Sequence, residues 1–206
     1  MAKIKLTKGE LKRQRDVLKQ YLRYLPTLQL KKQQLQIEIL RQSMILKSRE
    51  HAETAKRNAL EAWAGLLATD AGLNLSGFLK PRAVILGEKN IAGVSLPVFE
   101  RIEFPLAEYD LFITPLWVDT AIEALRELSS LRKDIEVLQE LLRILRQELR
   151  ITAQRVNLFE KVKIPEAEEA IRLIKIYIGD QMANAVGRSK IAKKKIEQAE
   201  LAEVFV

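Results

Sequence analysis

Apolar residues recur at alternating steps of three and four along a stretch in the second half of the chain. Nine of the ten positions in this series are apolar: Leu128, Leu131, Ile135, Leu138, Leu142, Leu145, Leu149, Thr152, Val156 and Phe159. Such a sustained heptad repeat is typical of a coiled coil. A new seven-residue series starts at Ile164, directly before Pro165, and it is one residue out of step with the series that contains Val156. The helix is therefore predicted to resume there with its apolar face rotated.

The N-terminal third carries a similar repeat. Leu11, Leu18, Leu25, Ile39 and Leu46 fall on a seven-residue grid. After this grid the pattern predicts a slip of one residue, into an alanine-rich series whose members are Ile45, Ser48, Ala52, Ala55, Ala59, Ala62 and Leu66. A proline inside a helix removes an amide donor and clashes with the preceding turn, so Pro26 is predicted to kink or interrupt this arm.

The segment between the two helical arms has a different composition. Glycines and prolines punctuate a β-branched stretch, in which residues 82–86 and 97–104 have the pattern of short strands and residues 92–95 that of a turn. The predicted fold class is mainly α: a long antiparallel two-helix coiled coil with a small central β-hairpin module. The predicted domains are an N-terminal arm at 1–70, the central module at 71–115 and a C-terminal arm at 116–206.

The predicted pairing of the arms starts from their inner ends. If Leu66 lies opposite Leu131, the two arms fold back with Ala55 opposite Leu142. Small residues would then face large ones, which allows close packing. This register also places the hairpin module at the far end of the paired helices, away from the heptad core.

Charge is unevenly placed along the 206 residues, which carry a formal net charge of +8. Residues 1–23 have eight basic and two acidic side chains, residues 186–196 have five basic and no acidic ones, and residues 66–119 have four basic and seven acidic ones. The basic ends could be solvated helix ends, a nucleic-acid contact, or the contact for a protein partner with an acidic or polar cavity. No nucleic-acid partner is expected, because Tyr21 and Tyr24 are the only aromatic residues in or directly beside these segments and no nucleic-acid-binding module is evident.

Sequence motifs for catalysis are missing. The chain has no glycine-rich phosphate loop, no Gly-x-Ser-x-Gly motif, no cysteine and one histidine, His51. The helix-spaced pairs Glu166/Glu169 and Glu197/Glu200 are interpreted as solvated, because no third metal ligand accompanies them. We therefore expect no catalytic residue, no cofactor and no metal site. The longest charge-free run, Asn90–Phe99, has ten residues against about 20 for a membrane span, and no signal peptide is evident, so a cytoplasmic location is expected.

Two short stretches resemble one known family. The segment from Asn90 to Glu100, Asn-Ile-Ala-Gly-Val-Ser-Leu-Pro-Val-Phe-Glu, is similar to the central hairpin of the D subunit of V-type and archaeal-type rotary ATPases. Arg155-Val156-Asn157-Leu158-Phe159-Glu160, followed by Ile164-Pro165, is similar to that family's Arg-Val-Asn-x-x-Glu…Ile-Pro signature. Both occur in the family's order.

This resemblance implies a non-catalytic central rotor-stalk subunit that transmits torque between a catalytic A/B hexamer and a membrane ion-translocating ring, during ATP hydrolysis or synthesis. It implies contacts with the A and B subunits, the F subunit and a funnel-shaped linker to the ring, and so a location peripheral to the membrane. The alternative is a non-rotary helical scaffold or tether for an acidic partner. The candidate partner-binding residues are Lys3, Lys5, Arg13, Ile91, Val94, Phe99, Arg155, Arg188, Lys190, Lys193, Lys194 and Lys195.

Overall fold

The computed structural model describes residues 5–67, 75–110 and 114–204. These residues form a mainly helical protein with one two-stranded antiparallel sheet, as the sequence predicts. Its elements in chain order are α1 (Lys8–Glu61), α2 (Ala64–Leu67), α3 (Leu75–Leu79), β1 (Ala83–Ile91), β2 (Val94–Glu103), α4 (Trp117–Leu158), a π-helical turn (Phe159–Lys163) and α5 (Ile164–Val204). The chain divides into two compact units, Lys31–Thr152 and the combination of Met1–Leu30 with Ala153–Val206.

Within Lys31–Thr152, α1 and α4 run antiparallel. Ion pairs connect the two helices at three successive levels: Arg49 with Asp134 at 3.1 Å, Glu53 with Arg132 at 3.0 Å, and Lys56 with Glu127. The two residue numbers in each pair add up to 183–185, whereas those of the predicted pair Ala55 and Leu142 add up to 197. The predicted pairing is therefore wrong. The reason is that α4 begins at Trp117, about 14 residues before the start assumed from the heptads, and buries Val118, Ala121 and Ile122 in its first turns.

The core face of α1 also differs from the alanine-rich series. Ala55, Ala59 and Ala62 are exposed, whereas Leu60, which lies on the continued seven-residue grid, is buried. The grid therefore runs through without a slip. The apolar pattern did not reveal this continuity, because polar residues occupy some inward positions. Gln42 is only 8% exposed, and its amide donates a hydrogen bond to Glu38 at 2.7 Å. A buried polar group with a partner is tolerated in a core.

The heptad positions of α4 are confirmed. Leu128, Leu142 and Leu145 are buried, and Leu142 is 2% exposed. Opposite Leu141 and Leu145 lies Leu35 of α1, and this cluster is completed by Val94 and Leu96 of the hairpin. The hairpin thus packs onto the paired helices and contributes to their core, which corrects the expectation that it lies outside the heptad core at the far end.

The hairpin is longer than the two predicted strands. β1 pairs with β2 from Ala83–Glu103 to Ile91–Val94, with a bulge between Ile85 and Leu86. Ala92 and Gly93 form its two-residue turn and both have positive φ, 53° and 76°. This pair of angles is what a type I′ turn requires, and its twist matches that of the strands. The Gly93 amide also donates to the Asn90 side chain at 3.0 Å.

Within the second unit, the start of α1 lies beside α5. The rings of Tyr21 and Phe159 meet edge to face with centroids 5.1 Å apart. Pro26 does not interrupt α1, which is helical throughout Lys8–Glu61. Near Pro165 the predicted irregularity is present as the π-helical turn, in which the Ile164 amide donates to the Phe159 carbonyl.

The π-helical turn accounts for the shifted repeat. It adds one residue to a helical turn, so the residues that follow are rotated relative to those before it. Val156 is buried before the turn; after it Ala167, Ala170, Ile171 and Ile174 are buried, whereas Glu166 and Leu173 are exposed. An uninterrupted heptad from Val156 would have buried positions 166 and 173 instead.

Candidate interaction surfaces

The basic segment of α5 is an exposed helix. Every side chain from Gln181 to Gln198 is exposed. This stretch contains five of the candidate residues: Arg188, Lys190, Lys193, Lys194 and Lys195. At about 100° per residue these five side chains surround the helix, and no arc wider than about 140° lacks one. Of these five side chains, only Lys193 forms an ion pair with another described residue, Glu197, at 3.6 Å.

The N-terminal candidates lie at the start of α1. Lys3 is outside the described residues, and Lys5 is exposed. The Thr7 hydroxyl accepts a hydrogen bond from the Glu10 amide at 3.2 Å, which caps the helix. Arg13 is largely exposed and approaches Glu10 at 3.9 Å, a weak surface pair.

The segment around residues 5–8 meets α5 in a shallow groove. Its lining residues are Leu6, Thr7, Lys8, Tyr177, Ile178, Gln181, Met182 and Ala185. From Val186 onward α5 continues for 19 helical residues to Val204, which is about 28 Å at 1.5 Å per residue. The five basic candidate residues of α5 therefore lie beyond this groove along the helix.

The hairpin candidates differ in accessibility. Ile91 and Phe99 are half-buried, whereas Val94 is 7% exposed within the cluster of Leu35, Leu141 and Leu145. The large apolar side chains of the hairpin that are exposed to solvent are instead Val84 and Leu86, at 38% and 50%. Pattern matching to the family's hairpin does not distinguish these two sides.

Arg155 lies on α4 just before the π-helical turn and is exposed. It shares a helix face with Leu158, three residues on, which is 45% exposed, and Val162 nearby is 40% exposed. The arrangement combines one cation with two accessible apolar side chains, a combination that suits contact with another protein surface more than chemistry.

A half-buried arginine anchors the base of the hairpin. The guanidinium of Arg126 on α4 donates to the Phe78 carbonyl at 3.2 Å and to the Pro105 carbonyl at 2.6 Å, and it lies 5.3 Å from the centre of the Phe104 ring. Sequence reasoning missed this residue, because its role depends on carbonyl groups 21 and 48 residues away.

The electrostatic perturbations are those of surface pairs. A hydrogen bond from Arg143 lowers the pKa of Glu140, and one from Arg172 lowers the pKa of Glu169. The hydrogen bond that Tyr109 donates to Asp119 raises the pKa of the Tyr109 phenol. The first two pairs hold side chains in place on the surfaces of α4 and α5, and the third joins Tyr109 to the first turn of α4.

The part of the chain that the structure describes does not group metal-binding side chains. Residues 5–67, 75–110 and 114–204 contain no group of three or more His, Cys, Asp or Glu side chains that could hold an ion. His51 is exposed on α1. The helices in these ranges also lack any stretch that is both long and apolar enough to cross a membrane.

Known proteins are similar to this chain over nearly its whole length. A family profile described as the D subunit of ATP synthase matches residues 10–194. The V-type ATP synthase D subunit of Borreliella burgdorferi is 42% identical over 196 residues, which cover 95% of this chain and 96% of the relative. The V-type ATP synthase D subunits of Chlamydia caviae and Chlamydia trachomatis serovar L2 are 36% and 37% identical, over 96% of this chain and 95% and 98% of theirs. The chain, with its helical pairing, its type I′ hairpin and its Arg-Val-Asn segment, therefore belongs to the family of V-type ATP synthase D subunits.

Proposed function

We propose that this chain is the central rotor-stalk subunit of a V/A-type ATPase, and that it transmits torque between the catalytic A/B hexamer and the membrane ion-translocating ring. Family membership supports a place in such a complex. The observation that supports rotation is the exposed α5 segment 186–198, whose basic side chains surround the helix. ATP hydrolysis or synthesis itself would occur on the A and B subunits.

The charge distribution of this segment suits a part that turns inside a ring. A deep contact on one side of the helix would favour one angle and oppose rotation. Lysine and arginine side chains on all sides attract an acidic or polar sleeve with little preference for angle, and at physiological salt the attraction decays over about 8 Å. Lys5 and Arg13 would add to this charge near the beginning of the chain.

The other partners follow from the proposed position. The F subunit would bind alongside the paired helices, and a funnel-shaped linker would join the chain to the membrane ring. The chain would then be located at the periphery of the membrane. Ile91, Phe99 and Arg155 are the proposed contacts outside the basic ends. Val94 would act indirectly, by holding the hairpin on the helices.

The decisive experiment follows one point on the chain while ATP is turned over. The chain contains no cysteine, so Lys89→Cys on the exposed side of the hairpin gives a single attachment site for a bead. With the hexamer immobilised, the bead should rotate in one direction when ATP is added. A bead that stays fixed while ATP is hydrolysed would overturn the rotor and favour the scaffold alternative.

A second experiment tests the basic segment. The triple variant Lys193→Gln, Lys194→Gln and Lys195→Gln should bind the A/B hexamer more weakly at low salt, with a shallower salt dependence. The matched control replaces three other exposed lysines, Lys80, Lys161 and Lys175, by Gln. Equal affinity and equal salt slope for the first variant, the control and the parent would leave this charge with a role in solubility only.

A further inference from the structure

The side of α1 that faces away from α4 carries three large apolar side chains. Ile37, Leu40 and Met44 are 65%, 61% and 70% exposed. At about 100° per residue they lie within an arc of about 60°, and the buried Leu35 and Gln42 lie on the opposite side of the helix. We refer to Ile37, Leu40 and Met44 as the outer apolar face.

Packing within the unit Lys31–Thr152 does not explain this face. The hairpin residues Val94 and Leu96 pack with Leu35, on the inner side of α1. The spacing of three and four residues makes the outer side chains neighbours on the helix surface. Contiguous exposed patches of this kind mark contact surfaces more often than scattered single residues do.

The charges beside the face have one sign. Residues 31–49 contain five basic side chains and one acidic one, Glu38. Glu38 accepts a hydrogen bond from Gln42 at 2.7 Å, on the flank toward the core. Arg41 and Lys47 are exposed on either side of the outer apolar face, and neither forms an ion pair within the residues that the structure describes. The face therefore has an apolar centre and a cationic border.

We propose that the outer apolar face is the docking surface for another protein subunit of the ATP synthase, one whose contact surface has an apolar centre and a carboxylate border. This inference rests on the proposed function only in that the chain works inside a multi-subunit complex. A second copy of the chain fits poorly, because its own Arg41 and Lys47 would bring like charges together. A lipid surface fits less well, since the three side chains are aliphatic or thioether and the face has no tryptophan.

The test measures binding of the full chain to each of the other soluble subunits of the complex from the same organism, one at a time, by titration calorimetry. The face variant carries Ile37→Gln, Leu40→Gln and Met44→Gln, because glutamine keeps the helix propensity. The control variant carries Leu22→Gln, Leu173→Gln and Ile176→Gln, which are 52%, 41% and 50% exposed and lie outside the basic segment of α5. Far-UV circular dichroism checks that both variants keep the helicity of the parent.

One subunit should bind the parent and the control variant with dissociation constants within about threefold of each other, and bind the face variant at least about 100-fold more weakly, as loss of a central apolar contact predicts. Replacing Arg41 and Lys47 by Gln should slow association with that subunit and flatten its salt dependence. Equal binding of parent and face variant to every subunit that binds would overturn the docking surface and leave the proposed function intact. If no subunit binds the parent, the docking surface fails, whereas the proposed function is still decided by rotation of the bead on the assembled hexamer.

Two further measurements separate the other occupants. Light scattering on the parent alone would reveal a dimer, and a dimer lost in the face variant would assign the face to self-association. Co-sedimentation with vesicles containing about a third anionic lipid would reveal membrane binding, and its loss in the face variant would assign the face to lipid. Either result overturns the proposal.

Discussion

Leu142 gives the sharpest test of the pairing between α1 and α4, because it is 2% exposed at a confirmed heptad position. Leu142→Asp removes a buried leucine, worth about 1.5–3 kcal/mol, and places a carboxylate without a partner in an apolar core at a further cost of several kcal/mol. The sum is about 5 kcal/mol. For a chain of this size each kcal/mol lowers the melting temperature by about 2–4 °C, so a decrease of about 10–20 °C is expected.

The assay is thermal unfolding followed by far-UV circular dichroism, with Leu40→Asp as the matched control. Leu40 is 61% exposed, so the same change there should cost no more than about 1 kcal/mol. Burial raises the pKa of the carboxyl group introduced at position 142. Burial destabilises only the ionised carboxylate. The difference in melting temperature between parent and variant should therefore shrink as the pH falls below that raised pKa. A melting temperature equal to the parent's, or a deficit that is independent of pH, would refute the buried position.

Three other predictions follow from particular contacts. Leu96 on β2 of the hairpin is fully buried against the helices, so Leu96→Ala should lower the free energy of unfolding by about 2–5 kcal/mol in chemical denaturation, whereas a hairpin outside the core would show almost no change. The raised pKa of Tyr109 stabilises the folded protein below the ordinary phenol pKa, and this contribution is lost as the pH rises through the raised value. Tyr109→Phe should therefore remove absorbance change from the part of an ultraviolet titration that lies above the ordinary phenol pKa, whereas a loss at the ordinary phenol pKa would contradict the bond to Asp119. Pro165→Ala restores an amide donor, and protection of backbone amides in residues 159–165 against hydrogen exchange should increase; unaltered exchange would show that the proline does not weaken this turn.

The fold was predictable where apolar periodicity was unbroken. The heptads of α4 identified its buried positions, and the shifted series after Pro165 indicated the rotation that the π-helical turn produces. The periodicity of α1 was misleading because Gln42 and Glu53, which are satisfied by Glu38 and Arg132, occupy inward positions that an apolar pattern rejects. A pattern search cannot count the partners of a polar side chain before the structure is known.

The register of the helices and the candidate surfaces were predictable only in part. The pairing register depended on where α4 begins, and its first turns carry no long heptad series. The basic residues of α5 are visible in the sequence, and their exposure follows from the polar composition of that segment. The outer apolar face was not predictable, because α1 has apolar rows on two sides and the sequence does not say which row meets α4.

The π-helical turn has a consequence for how this sequence tolerates insertions and deletions. It holds one residue more than an α-helical turn, and that residue sets the rotational phase of α5 relative to the last residues of α4, 153–158. Deleting a single residue in Phe159–Lys163 would convert the π-helical turn to regular α-helical geometry and keep Ala167 and Ile174 in the core, because one residue fewer brings them to the positions that 166 and 173 have in an uninterrupted helix. Among relatives, a difference of one residue in this turn should therefore be tolerated when the turn changes between π-helical and α-helical geometry, whereas a one-residue deletion within α5 between Glu166 and Ile174 would rotate the buried residues that follow it by about 100°.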